Sequence, residues 1–275
     1  MNRFIKLRGS KIELSNKTLI MGIINVTPDS FSDGGFFYSK EKAIRHAAQL
    51  IEDGADIIDI GAESTRPNFT PINADEEITR LEKIIPAIKN LGVPISVDTY
   101  KPQVAEFALE LGADIVNDIS GLIDDEMIIV AKKFNAPVIA VHNRLDKNIC
   151  KGYVIDDIKK YFREIVKRCE SFGLDTAQII FDVGIGFGKT PEENLTVLRN
   201  LREFKFLDGM PIPLLLGVSR KSVIGYATGF DVDNRDEATG AACVLGIVQG
   251  VEILRVHNVK MIYKMCRMAD ILLKG

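Results

Sequence analysis

The stretch Gly54-Ala55-Asp56-Ile57-Ile58 decides the fold, because Gly112-Ala113-Asp114-Ile115-Val116 repeats it. In each copy an amphipathic stretch stops at a glycine, as helices do, and a β-branched apolar run follows directly. Gly92 and Gly173 mark the same passage elsewhere. Runs of this texture recur at 19–25, 56–61, 94–98, 114–117, 137–142, 178–182, 213–217 and 251–255. Continuous apolar runs suit a parallel sheet buried on both faces. Between them lie segments with helical spacing, such as Ala43, Ala47, Leu50 and Ile51, then Ile78, Leu81, Ile84, Ile85 and Ile88. Eight strand–helix units fit the roughly 250 residues of an α/β fold of the (β/α)8 TIM barrel type. The alternative, a doubly wound open sheet, carries a glycine-rich fingerprint after its first strand. Here the first strand runs into Asn25-Val26-Thr27-Pro28 instead. No Pro/Ser-rich linker divides the chain, so residues 1–275 read as a single domain with a short N-terminal extension before about residue 19.

Composition narrows the function. The 275 residues are 46% hydrophobic and 27% charged, which is ordinary for a globular chain. With 35 basic and 38 acidic residues the net charge is −3, and no basic run offers a nucleic-acid footprint. No apolar run approaches a membrane span, and the charged start is unlike a signal peptide, so a cytosolic protein is expected. Cys150, Cys169, Cys243 and Cys266 form no CxxC pair and read as reduced thiols. With only His46, His142 and His257, a zinc site would lack ligands.

Helix-to-strand turns are short, whereas the strand-to-helix loops 26–38, 62–73, 143–153 and 218–235 are long. In a barrel these loops project from the C-terminal face, where active sites lie. Polar residues end the strands on that face: Asn25, Asp98, Asn117 with Asp118, His142, Asp182, Ser219 to Ser222, and Arg255 with His257. Singly, Asp118, Asp124 and Asn258 read as caps or loop residues. Together the strand ends argue for a site. Asp98 and Asp182 each close an apolar run, and a buried carboxylate needs a partner such as Lys221 or Arg255. With Asn117 this set suits a planar heterocycle that has adjacent N–H donors and a ring carbonyl. Arg255, His257, Arg66 and the Asn25 amide suit a diphosphate with a divalent ion, and Ser222 begins an expected helix whose free N–H groups attract anions. The stretch 182–190 fails as a phosphate loop, because Val183 stands where the first glycine is needed. Its glycines admit close backbone approach to a flat ligand, against which Phe187 can stack, a buried core position being the alternative reading of that ring. No Ser–His or Cys–His dyad is evident.

Met21-Gly22-Ile23-Ile24-Asn25-Val26-Thr27-Pro28-Asp29-Ser30-Phe31-Ser32-Asp33-Gly34-Gly35 resembles the first signature of the dihydropteroate synthase family. The resemblance continues through Glu63-Ser64-Thr65-Arg66-Pro67, Ser96-Val97-Asp98-Thr99, Val116-Asn117-Asp118, Gly184-Ile185-Gly186-Phe187-Gly188-Lys189-Thr190, Ser219-Arg220-Lys221-Ser222 and Arg255-Val256-His257, in the family's order. It implies a TIM barrel, usually a homodimer, that joins (7,8-dihydropterin-6-yl)methyl diphosphate to 4-aminobenzoate with Mg2+. By that resemblance Asp98, Asn117, Asp182 and Lys221 hold the pterin. Asn25, Arg255 and His257 hold the diphosphate, with Asn25 also on Mg2+. Thr65 and Arg66 belong to the second loop, Phe31, Pro67 and Ser222 frame the aminobenzoate, and Asp33 lies near the developing cation. A dissociative route follows, in which the C–O bond breaks before the weakly nucleophilic amine attacks.

The chain departs from the family pattern at Val183, usually Pro, which predicts a looser turn, and at Ala62, usually Gly. It departs also at Val141-His142-Asn143, usually Met-His-Met, and at Asn258, usually Asp, whose missing charge leaves His257 less readily protonated. The competing functions are a non-catalytic pterin-binding paralogue and a pterin-dependent methyltransferase barrel. Asn25, Asp33 and His257 are all present, which disfavours the first; the methyltransferase has no need of Phe31-Ser32-Asp33 or of Arg255 with His257.

Overall fold

The structure is a computed structural model that describes residues 3–14, 17–26, 35–63, 71–144 and 152–274. Eight parallel strands close into a barrel. They are β1 (Leu19–Asn25), β2 (Ile57–Gly61), β3 (Ile95–Asp98), β4 (Ile115–Asp118), β5 (Val138–Val141), β6 (Ile179–Asp182), β7 (Leu214–Leu216) and β8 (Ile253–Val256). Neighbours in sequence are neighbours in space, and β8 closes on β1 with Arg255 opposite Met21.

Successive side chains of a strand point to opposite faces. Met21, Ile57, Ile115, Ile139, Ile180, Leu215 and Ile253 pack together inside the barrel. Their neighbours Ile20, Ile58, Val116, Val138, Phe181, Leu214 and Leu254 pack outward beneath the helices. Each fully buried Ile or Leu contributes ~1.5–3 kcal/mol. The N-terminal extension forms an antiparallel hairpin, Phe4–Leu7 with Ser10–Glu13, whose Ile5 and Leu7, with Leu14, join the inner cluster. It closes the end of the barrel at which the strands begin.

The repeated sequence has a repeated structural role. Asp56 accepts the Ile20 N–H at 3.0 Å and pairs with Lys17. Asp114 accepts the Ile95 N–H at 2.9 Å and pairs with Lys89. Each aspartate entering a strand thus satisfies the backbone of the strand before it. Gly54 and Gly112 both take φ of +108°, which a side chain resists. In the helical spacing around 78–88 the structure places a break, into Ala74–Leu81 and Ile85–Lys89. Pro86 has no N–H to donate to the preceding turn, so one continuous helix is excluded. The first long loop also ends sooner than the sequence suggests, since the helix Gly35–Glu52 already covers 35–38. The long loop after β7 contains the helix Ser222–Thr228 and a short 3-10 turn, Val232–Asn234. No described helix is long and apolar enough to cross a membrane.

Asp114→Ala would leave the buried Ile95 N–H without its acceptor. We expect a loss of ~1–3 kcal/mol in urea denaturation. An unchanged midpoint would refute the role given to this aspartate.

Candidate active site

Register gathers the polar strand ends. Asn25 pairs with Gly61, Gly61 with Asp98, and Asp98 with Asn117 across four neighbouring strands. Asp182 pairs with Val141 on one side and Leu215 on the other. The alternation also separates Asn117 from Asp118: Asn117 points inward, whereas Asp118 accepts the N–H groups of Ser120 and Leu122 and shapes the following turn. Asp124 caps the helix Asp125–Phe134, and Asn258 accepts the Met261 N–H at the start of the last helix. The cap reading holds for Asp124 and Asn258, whereas Asp118 is a buried strand end that braces the following turn.

Arg255 is the hub. Its Nε donates to Asp59 Oδ2 at 2.6 Å, and its Nη2 donates to Asp98 Oδ2. Nη1 makes no bond to a described residue. Asn117 Nδ2 reaches the same Asp59 oxygen at 3.3 Å. Asp98 Oδ1 is buried without a hydrogen bond, an acceptor with unused capacity. A Cβ on Gly61 would sit 3.6 Å from Asp98 Cβ and 3.8 Å from Asn25 Oδ1, so this glycine keeps a gap beside both. Burial pushes the Asp98 carboxyl up to about 7, against the pull of Arg255. Burial opposes the Arg255 charge, but Asp59 and Asp98 outweigh it and raise the guanidinium pKa.

The other half of the mouth converges on Gly217, where an added Cβ would lie 3.5 Å from Asp182 Oδ2 and 3.9 Å from both Arg255 Cβ and Lys221 Nζ. Lys221 donates to the Ile185 carbonyl at 2.6 Å and lies 4.4 Å from the Phe187 ring centroid. Burial lowers it to about 8, although Asp182 opposes the shift. Burial raises Asp182, with Lys221 opposing. Phe187 is half-buried against the inner core, with the ammonium over its ring.

The turn after β6 is held from several sides. Asp182 Oδ1 accepts the Gly184 N–H at 2.8 Å, and Lys189 donates to the carbonyls of Gly184 and His142 at 2.8 and 3.0 Å. A Cβ on Gly184 would fall 1.9 Å from the His142 oxygen, so no other residue fits. The looser turn expected from Val183 is therefore not found: Val183 is fully buried and the turn is tied. Burial brings Lys189 down to about 7. His142 Nε2 contacts Asp157 at 3.1 Å, and burial holds the ring near 4, hence neutral.

His257 follows β8, and its Nδ1 lies 2.9 Å from Ser219 Oγ. A Ser–His contact therefore exists where the sequence showed none, because its members stand 38 residues apart. It is no activated nucleophile: the hydroxyl is buried and also accepts the His257 backbone N–H. Asn258 donates to Asp236, whose carboxylate supplies near His257 the negative charge that the sequence appeared to lack. Ser222 is exposed at the first position of its helix, after Lys221. Phe31, Asp33, Thr65, Arg66 and Pro67 lie outside the described residues. Sequence reasoning missed Asp59, although an acid inside the run 57–61 was a signal, since a charge on the inner face must be paired. Among the described residues no group of three or more His, Cys, Asp or Glu side chains can hold a metal ion.

Comparisons with known proteins identify the relatives of this chain. The family model described as pterin binding enzyme matches residues 21–257. The dihydropteroate synthase of Bacillus subtilis is 46% identical over 98% of this chain and 93% of its own length. That of Clostridium beijerinckii is 43% identical over 98% of this chain and all of its own. A solved dihydropteroate synthase from Clostridium difficile, in the presence of pteroic acid, superposes with a TM-score of 0.89 at 45% identity, covering 94% of this chain and 98% of that one. The Xanthomonas albilineans enzyme with 4-aminobenzoic acid superposes with a TM-score of 0.93 at 32% identity over the whole of both chains.

The Asp98 carboxyl should titrate near 7, and Arg255→Leu should raise that midpoint by removing the adjacent cation. Carbon-13 NMR of the carboxyl checks this; a midpoint that fell would refute the arrangement. An unfolded aspartate titrates near 4, so the contribution of Asp98 to stability is full below about pH 4 and is lost as pH rises through about 7.

Proposed function

The chain belongs to the dihydropteroate synthase family of pterin-binding enzymes, and on that premise we propose that it joins (7,8-dihydropterin-6-yl)methyl diphosphate to 4-aminobenzoate. The products are 7,8-dihydropteroate and diphosphate. The observation that carries this reading is the inward row Asp98, Asn117 and Asp182, with Lys221 beside it and Asp98 Oδ1 unpartnered. A pterin edge presents adjacent N–H donors, which carboxylate oxygens accept well. Lys221 donates to the ring's acceptor atoms, and Phe187 and the glycines around it face the flat ring.

The diphosphate is held by Arg255, through Nη1, and by His257, while Asn25 offers an amide oxygen beside Asp98. That single neutral donor fits a Mg2+ ion held mainly by phosphate oxygens and water. When bound, the ion draws charge from the departing diphosphate. The route is dissociative: the C–O bond breaks, its electron pair leaves with the diphosphate, and the pterin carries the positive charge until the amine attacks, after which the new C–N nitrogen gives its extra proton to the diphosphate or to water. The protein needs no strong base for this, only fixed charge and exclusion of water. Asp33 stabilises the cation, Thr65 and Arg66 belong to the second loop, and Phe31, Pro67 and Ser222 frame the aminobenzoate. The partner is a second copy of the chain. Exposed Leu245 and Val248 on the helix Asp236–Val248, with Met268, Ile271 and Leu272 on the adjacent Val259–Lys274, support that assembly.

Purified protein with both substrates and Mg2+ should release dihydropteroate and diphosphate. Chelation of the metal or Arg255→Ala should reduce the rate by ~100-fold or more, the loss expected when a donor to a developing anion is removed. Tight pterin binding without turnover would favour the non-catalytic paralogue instead. Asp33→Ala should lower kcat far more than it weakens pterin binding; equal losses, measured by steady-state kinetics and calorimetry, would sink its role at the cation.

A further inference from the structure

Ser219 follows β7 and is buried, and its hydroxyl makes both of its hydrogen bonds to His257. It accepts the His257 backbone N–H at 3.2 Å and lies 2.9 Å from ring Nδ1. A hydroxyl carries one proton. Were Nδ1 the donor, Ser219 would accept twice, and its own buried proton would face no acceptor among the described residues. With Ser219 donating to Nδ1, the hydroxyl proton and the His257 backbone N–H both have partners. Nδ1 is then the acceptor, and Nε2 carries the ring proton.

The backbone on both sides is pinned as well. Arg220, at φ +58°, donates to Asp236 through Nε and Nη2 at 2.7 and 2.8 Å, and its N–H reaches Thr239 Oγ1 at 3.2 Å. Asn258 donates to the same Asp236 at 2.9 Å. The Asp236 charge is thus taken up by Arg220, and the loops after β7 and β8 are cross-braced on either side of the Ser219–His257 contact.

We propose that Ser219 is a positioning residue, whose hydroxyl holds His257 as the neutral Nε2–H tautomer so that the ring offers the diphosphate a hydrogen-bond donor and not a base. This rests on the synthase reading for the identity of the anion. It gives the imidazole one task, to accept charge from the leaving group. Ser219 itself touches no reacting atom.

Nitrogen-15 NMR of the whole protein tests the contact without any activity. The chain has three histidines, and the His257 signals are those lost in His257→Gln. At pH 8 the wild-type ring should show an unprotonated Nδ1 and a protonated Nε2. Ser219→Ala should mix the tautomers and weaken inhibition by product diphosphate about fivefold, the scale of one misplaced hydrogen bond. The KM for 4-aminobenzoate should stay within about twofold, because the carboxylate end lies elsewhere. Ser219→Thr, which keeps the hydroxyl, should restore both readouts. A protonated Nδ1 in the wild type overturns the proposal, as does a Ser219→Ala protein with unchanged tautomer or unchanged diphosphate inhibition. Should Ser219→Ala fail to fold, the wild-type spectrum and the Ser219→Thr inhibition decide by the same criteria. An enzyme that makes no dihydropteroate yet shows the expected tautomer would overturn the synthase reading, and leave the hydroxyl–ring contact standing.

Discussion

One guanidinium sits where the apolar interior of the barrel ends. Arg255 joins Asp59 and Asp98, and through Asp59 it reaches Asn117. Removing such charges from water costs several kcal/mol per ion, and a hydrophobic replacement of similar volume is often as stable. The layers below are mainly Ile, Leu and Met, with Val141 and the hydroxyl of Ser96. The change from those layers to Asp, Asn and Arg is therefore explained by binding and not by stability. Everything above this level depends on the ion pair, because without Arg255 two carboxylates would share the inner layer without a cation between them.

The walls of the site are rigid for a related reason. Asp182 fixes the Gly184 N–H, Lys189 gathers carbonyls from the ends of two strands, and Asn194 accepts the Gly186 N–H at 2.8 Å. On the opposite side Ser219, Arg220, Asp236 and Asn258 join the last two loops. Groups held in place before a ligand arrives need no reorganisation when charge develops, and such preorganisation is how a protein stabilises a departing anion. The hairpin 4–13 works at the other end, where it covers the inner core and leaves the mouth as the polar end of the barrel.

Much of this was legible in the sequence. Apolar runs separated by glycine-terminated helical spacing gave the strands, and their last residues gave Asp98, Asn117, Asp182 and Arg255. The uncertain step was the phase of each strand. Asn117 and Asp118 are adjacent polar residues, and only one can face inward. Asp59 lay in the middle of an apolar run, where attention to strand ends passed over it. The Ser219–His257 contact and the Asp236–Asn258 bond join residues 38 and 22 positions apart, and no local pattern signals such a pair.

The sequence by itself determined the order of the elements, the closed parallel barrel and the identity of the polar strand ends, because periodicity, glycine stops and short motifs are local properties of the chain. The tertiary structure decided register and partnership: which carboxylate shares Arg255, which glycine faces a neighbouring backbone, and which nitrogen of His257 meets a hydroxyl. Those depend on closure of the sheet, which brings β8 against β1 and sets the ends of separate strands at one height. Hydrogen bonds and ion pairs act over about 3 Å, so they are fixed only when distant segments have been brought that close.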